Sequence, residues 1–211
     1  MATKLILLDL DGTLVDTVND ITNALNYALD GRGLRTLSVG EVKYLIGEGI
    51  NRLIEKVLGE ERIHVKDAVV TRFLDHYSKH LADNSTVYPY VRETLEKLTS
   101  YRKAVISNKR EYLSTELLKK LDILKYFDLI IGSDTTSERK PSPIPVIYAL
   151  SKFNAEPSEA VMVGDINYDI EAGRRAGIMT IAVAYGYGER RYLLDADAVV
   201  DNFGDLCAFL T

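Results

Sequence analysis

The sequence predicts an α/β protein: a three-layer core around a mainly parallel sheet, with a helical domain inserted after the first strand. Three observations predict it. Apolar, β-branched runs recur at residues 5–8, 104–106, 129–131, 160–163, 180–183 and 198–200. Helical patterns separate most of them, which is the alternation of a Rossmann-like, doubly wound sheet. The stretch between the first two runs is far longer than one crossover helix needs, and its apolar residues recur at helical spacing with no convincing strand. This organisation places the core at residues 1–16 and 84–211 and a helical cap at 17–83, with hinges at Asp16-Thr17 and Asp83-Asn84-Ser85-Thr86.

The first run leads straight into Asp9-Leu10-Asp11-Gly12-Thr13-Leu14. Two carboxylates at the carboxyl end of a buried strand repel each other and are poorly solvated, a placement that suits a bound cation or a shared proton. Within the insertion, Thr17 with Asp20 reads as a capping box ahead of Ile21, Leu25 and Leu29. Ser38 with Glu41 reads as another, with Leu37 and Val42 placed for a hydrophobic staple. Residues 51–58 form a third helical stretch, and Val70, Phe73, Leu74, Tyr77 and Leu81 the stripe of a longer fourth. Such a bundle sits over the acidic strand end, where a lid belongs. Gly47-Glu48-Gly49 reads as a break between lid helices whose loop faces the site. His76 and His80 lack an intervening acid and a third ligand, so they read as solvated surface residues.

Beyond the insertion, Ser107-Asn108 follows the second run and reads first as the cap of a helix starting near Lys109, although its hydroxyl and amide are also donors for an anion. In Lys140-Pro141-Ser142-Pro143, Ser142 reads as an N-cap with Pro143 at the first helical position. Pro141 favours an extended Lys140, whose ammonium is then a positioned point charge for phosphate. Gly164-Asp165 ends the fourth run, and Asp169 follows one helical turn later. With Asp9 and Asp11 this gathers four carboxylates at two strand ends, an oxygen-rich set of the kind Mg²⁺ takes. Tyr185-Gly186-Tyr187-Gly188 after the fifth run is either a rim of the pocket or a glycine-rich loop with surface tyrosines.

Composition narrows the function classes. The chain has 211 residues, 46% hydrophobic and 27% charged, with a net charge of −5 and no dense basic stripe, which argues against a nucleic-acid binder. No run approaches the length of a membrane span, and residues 5–8 are too short for the core of a secretory leader. Cys207, the single cysteine, excludes an internal disulfide and reads as a core thiol in the apolar run 206–210. A cytoplasmic monomer or homodimer is the expectation.

Asp9-Leu10-Asp11-Gly12-Thr13, Ser107-Asn108, Lys140-Pro141 and Gly164-Asp165 through Asp169 resemble, in order and across nearly the whole chain, the four motifs of the haloacid dehalogenase superfamily. The inserted lid, Gly47-Glu48-Gly49, Lys109, Ser142-Pro143 and Gly186-Tyr187 are similar to the helical-cap subgroup that contains phosphoglycolate phosphatases. The resemblance implies a Mg²⁺-dependent phosphatase for a small phosphorylated metabolite, with 2-phosphoglycolate the best single candidate. It makes Asp9 the nucleophile that forms an aspartyl-phosphate and Asp11 the general acid and base. It puts Mg²⁺ on the Asp9 carboxylate, the Asp11 backbone carbonyl and Asp165, supported by Asp169. Ser107, the Asn108 amide and loop amides near Gly12 and Thr13 would hold phosphoryl oxygens, while Lys140 would neutralise phosphate and orient Asp9.

The rival activities are weaker. Asp11 argues against a dehalogenase. Asp20 and Ile50 stand where a sugar-phosphate mutase has its lid His and Arg, and neither Lys43 nor Lys56 has a setting that marks it for Schiff-base cleavage of a phosphonate. Pyrophosphate or nucleotide hydrolysis by a close relative stays open. A non-catalytic binding protein is disfavoured because Asp9, Asp11, Lys140 and Asp165 are all present. Arg52, Lys43 and Lys109 are candidate partners for a substrate carboxylate, each read singly as a solvated charge.

Overall fold

The computed structural model describes residues 3–210. In chain order the elements are β1 (Leu5–Leu8), β2 (Val15–Asp16), α1 (Val18–Leu29), α2 (Val39–Lys43), α3 (Ile50–Arg62), α4 (Lys66–Tyr77), β3 (Thr86–Val87), α5 (Val91–Lys97), β4 (Arg102–Ile106), α6 (Glu111–Lys120), β5 (Leu129–Ile131), α7 (Ile144–Phe153), β6 (Ala160–Gly164), α8 (Asn167–Arg175), β7 (Met179–Val183), α9 (Arg190–Leu193), β8 (Ala198–Val200) and α10 (Cys207–Leu210). Six strands form one sheet in the order β5-β4-β1-β6-β7-β8, and every pairing in it is parallel. The winding runs outward from β1 through β4 to β5, then returns to the other side of β1 for β6. The carboxyl end of β1 is therefore the topological switch point, where such sheets open a crevice.

The alternation of side chains along β1 explains why the run is apolar at every position. Ile6 and Leu8 join Val105, Val161, Val163, Ile181 and Val183 on one face, in a core cluster that continues into the cap residues Leu25, Ile54 and Phe73. Leu5 and Leu7 join Ala104, Ile106, Ile131 and Met162 on the other, against Val146, Ala149 and Leu150 of α7 and Ala172 of α8. A strand flanked by strands and covered on both faces has no position for a polar side chain. The first residue past it, Asp9, is the first that carries one.

The four cap helices α1 to α4 lie between β2 and β3, two-residue strands that pair antiparallel with each other and were not expected. Segments this short leave no alternating pattern in a sequence. Two capping expectations differ in outcome. Ser38 and Glu41 form the capping box of α2, whereas Thr17 makes no side-chain cap on α1. The Tyr187 hydroxyl takes that place, accepting from the backbone N–H groups of Thr17 (2.7 Å) and Val18 (3.1 Å). Asp20 is buried and accepts instead from the backbone N–H groups of Asn84 and Ser85 and from both their side chains, at 2.7–3.0 Å. Cap and return segment are fastened together there.

Other boundaries shift. The helix after Ser107-Asn108 begins at Glu111 with Arg110 as its N-cap, so those two residues do not cap it. Pro143 rather than Ser142 is the N-cap residue of α7, which begins at Ile144; the Lys140–Pro141 peptide bond is cis. The apolar stripe of α4 extends past its last helical residue, Tyr77, to the buried Leu81. Cys207 is half-buried rather than in the core. Among the described residues no helix is long and apolar enough to cross a membrane.

Asp20 yields the first prediction. Truncation by Asp20→Ala leaves the buried Ser85 donors and the Asn84 N–H unanswered, and we expect a loss of about 2–4 kcal/mol in urea unfolding. A loss within ~0.5 kcal/mol of zero would remove the clamp as a stabilising feature.

Candidate active site

Asp9 follows β1 directly and is held from below by its own N–H, which donates to Val163 O at 2.9 Å. The chain then turns sharply: Gly12 has φ +91° and its N–H donates to Val15 O at 2.9 Å. Glycine is required there twice over, for the positive φ and because a Cβ would collide with the Asp165 carboxylate. Gly186 presses on the same carboxylate from the opposite loop.

Lys140, from the loop after β5, is the central cation. Only 1% of its side chain is exposed, and its ammonium donates to Asp9 Oδ1 and to Ile106 O, both at 2.6 Å. Asp169 Oδ1 lies 2.6 Å away as a second carboxylate partner. Burial works to lower the Lys140 pKa, but Asp169 and Asp9 outweigh it and the ammonium is held charged. Asp169 Oδ2 accepts from the N–H groups of Asp165 and Ile166 at 3.1 Å, which fixes the start of α8. Asp165 accepts from the Thr13 hydroxyl (2.7 Å) and the Tyr187 N–H (2.8 Å).

Asp11 has a different environment. Its Oδ1 accepts from the Thr17 hydroxyl at 2.7 Å and from the Lys109 ammonium. Thr17 is free to do this because Tyr187 caps α1 in its stead. Tyr187 also donates from its hydroxyl to Asp16 Oδ1 at 2.9 Å, and Tyr185 donates to Thr13 O at 2.7 Å. The loop of residues 185–188 thus rims the site and braces the segment that leads from β2 into α1; Tyr187 is buried, not a surface tyrosine.

Asn108 joins the two halves of the molecule. Its side-chain amide donates to Gly47 O of the cap at 2.7 Å and to Lys140 O of the core at 2.9 Å. Gly49, at φ +80°, passes so close that a Cβ would stand 2.9 Å from Asn108 O. Between the halves lies a cavity of about 90 Å³, lined by Asp9, Asp11 and Lys109 on one side and by Ile50, Phe73 and Tyr77 on the other.

The geometry brings together Asp9, Lys140, Asp165 and Asp169 in one buried cluster, with Asp11, Ser107 and Asn108 at its edge. Of the loop amides expected to hold phosphate, the Gly12 N–H is spent on Val15 O, and both protons of the Asn108 side-chain amide are spent on Gly47 O and Lys140 O. Ser107 Oγ accepts from the Lys109 N–H at 3.2 Å and keeps its proton to donate. Lys109 is not a solvated charge: 7% of its side chain is exposed. Arg52 and Lys56 pair with cap glutamates, and Lys43 lies over the Tyr187 ring. His80 pairs with the exposed Asp83, and half-buried His76 stacks between it and Tyr27.

The donor set fits a hard divalent cation. Oxygens of Asp9, Asp165 and Asp169 lie within 4.8 Å of one another, all buried, against the single ammonium of Lys140. Asp169 Oδ1 receives no well-directed hydrogen bond, Lys140 notwithstanding. Without a cation, burial pushes the Asp9 carboxyl well up and, with Asp169 adding to it, Asp165 up to about 7.

Comparison with known proteins follows the same line. The sequence model of the haloacid dehalogenase-like hydrolases matches residues 6–183. A phosphoglycolate phosphatase of Aquifex aeolicus is 43% identical over 190 residues, 87% of this chain and 86% of its own. One of Chromobacterium violaceum is 37% identical over 210 residues, 96% of this chain and 94% of its own. The crystal structure of a predicted phosphoglycolate phosphatase from Haemophilus somnus superposes with a TM-score of 0.90 at 30% identity, covering 99% of this chain and 98% of that one.

The raised carboxyls set a pH dependence. The folded, cation-free chain keeps a proton on Asp165 to about pH 7, whereas the unfolded chain sheds it near pH ~4. The folded state binds more protons across that window, so stability falls as pH rises through it. In chelator, the melting temperature should drop between about pH 5 and about pH 8, and Mg²⁺ should raise it more at the upper end. Equal Mg²⁺ stabilisation at both ends would contradict the assignment.

Proposed function

The chain belongs to the haloacid dehalogenase-like hydrolases and is a phosphatase, and on that premise we propose that it hydrolyses 2-phosphoglycolate to glycolate and phosphate through an aspartyl-phosphate on Asp9. One observation carries the mechanism: two carboxylates two residues apart have different partners. Asp9 is buried against Lys140, while Asp11 is held by Lys109 and Thr17 at the edge of the cavity. Two such environments assign two roles.

In the first step Asp9 attacks phosphorus, the bond from phosphorus to the ester oxygen breaks, and the departing glycolate oxygen takes a proton from Asp11. In the second step Asp11, now a carboxylate, takes a proton from water as its oxygen attacks the phosphorus. Asp9 leaves as a carboxylate and inorganic phosphate is released. Lys140 fixes the attacking carboxylate in one rotamer and supplies positive charge beside the phosphoryl group. Ser107 offers its hydroxyl proton to a phosphoryl oxygen. Mg²⁺ held by Asp9, the Asp11 backbone carbonyl and Asp165, with Asp169 behind, would neutralise the phosphate against Asp9 and stabilise charge in transfer.

The size of the cavity and its apolar cap wall support a small substrate, as do the names of the relatives. Neither lid position of a mutase is available: Asp20 is spent on the return segment, and Ile50 is an apolar wall residue. Asp9→Asn should reduce kcat by about 10⁴-fold or more and abolish phosphoenzyme trapping. Asp11→Asn should reduce it by about 10²–10⁴-fold with Mg²⁺ stabilisation retained. In a panel of phosphate esters and pyrophosphate, phosphoglycolate should show the highest kcat/KM; a higher value for pyrophosphate or a nucleotide would overturn the substrate assignment and leave the mechanism standing.

A further inference from the structure

A buried lysine is costly to desolvate unless its charge is answered. Lys109 is answered in part only. Asp11 Oδ1 is the acceptor that its ammonium reaches with hydrogen-bond geometry among the described residues, and Thr17 shares that oxygen. An ammonium has three donors. On α4, Tyr77 places its ring centroid 5.2 Å from Lys109 Nζ. Tyr77 is 1% exposed, and its buried hydroxyl, which lies beside the Lys109 ammonium, has no well-directed hydrogen-bond partner. Packing alone is served as well by phenylalanine, since an unanswered buried hydroxyl costs about 1–3 kcal/mol. A cation with a donor to spare and a hydroxyl without a well-directed partner thus lie side by side on one small cavity, beside the carboxylate assigned to the ester oxygen.

We propose that Lys109 and Tyr77 bind the carboxylate of the substrate's leaving alcohol, so that the enzyme selects phosphate monoesters bearing an anionic group next to the ester carbon. The inference rests on the reading of Asp11 as the acid at the ester oxygen. In phosphoglycolate one methylene separates that oxygen from the carboxylate, so a cation touching Asp11 is within its reach. Lys109 belongs to the core and Tyr77 to the cap, so a carboxylate between them ties the two together, and an uncharged leaving group does not. Arg110 and Arg139 also line the cavity. Arg110 is exposed and Arg139 only half-buried, where a charge is screened and contributes less.

The test is a calorimetric titration, in Mg²⁺, with two non-hydrolysable probes: 3-phosphonopropionate, the isostere of phosphoglycolate, and propylphosphonate, which carries a methyl in place of the carboxylate. The wild-type protein should prefer the first by about 10- to 100-fold. Lys109→Met should cut that preference to about threefold or less, and Lys109→Arg should restore part of it. Tyr77→Phe, which keeps the ring and its packing, should cut it by about three- to tenfold. The ratio of kcat/KM for phosphoglycolate over ethyl phosphate should follow the same order. A wild type without preference, a preference untouched by both Lys109→Met and Tyr77→Phe, or its loss in Arg110→Gln alone would each overturn the proposal. Failure to hydrolyse any phosphate ester would defeat the catalytic reading, while the binding ratios still decide this one.

Discussion

The buried ammonium of Lys140 is the interaction on which the rest of the site depends. It holds Asp9 from β1 and Asp169 from α8 at 2.6 Å each, and the Ile106 carbonyl at the end of β4. Three segments far apart in the chain are thereby fixed to one point at the switch of the sheet. Removing any partner would leave a charge buried and uncompensated, which is why such a cluster tolerates little variation. With every carboxyl ionised the cluster is not neutral. One cation faces three carboxylates, and the surplus negative charge is what gives the cluster its appetite for a further cation.

A second, weaker charge group operates at the edge. Lys109, Asp11, Thr17 and Tyr187 form a chain of contacts that runs from the core to the start of α1. Because Tyr187 also donates its N–H to Asp165, one residue touches both the acidic cluster and the first turn of the cap. The position of the cap and the arrangement of the site are thus linked through hydrogen bonds rather than through loose packing.

Much of this was legible in the sequence, for physical reasons. The six sheet strands announce themselves because both faces are covered, and the site residues sit at their ends because the covered strands are apolar almost throughout, the buried Lys103 and Thr180 excepted. What escaped was long-range hydrogen bonding. Thr17 and Asp20 have the spacing of a capping box, yet both side chains are claimed by residues distant in the chain, Asp11 and the Asn84-Ser85 segment. Ser107-Asn108 looked like a local cap, but Asn108 bridges the two domains. Lys109 reads singly as a solvated charge, and Tyr187 reads equally as pocket rim or surface, because nothing local shows what will cover them; Tyr77 fits the apolar stripe, and that pattern says nothing of what its hydroxyl meets. Local pattern reports periodicity and propensity, and it is silent on which polar group a distant segment will claim.

The place of β1 in the sheet has a consequence for how the chain acquires its shape. Leu5 pairs with Arg102 on one side and Ala160 on the other, so the strand synthesised first is completed by partners made about 100 and about 155 residues later. The cap helices, by contrast, find their neighbours within the insertion, and local contacts form faster than distant ones. During synthesis the cap would collapse while the sheet's central strand still waits, apolar on both faces, for its neighbours to emerge. The strand that leads into Asp9 thus keeps an open edge until Ala160 and its neighbours have been made.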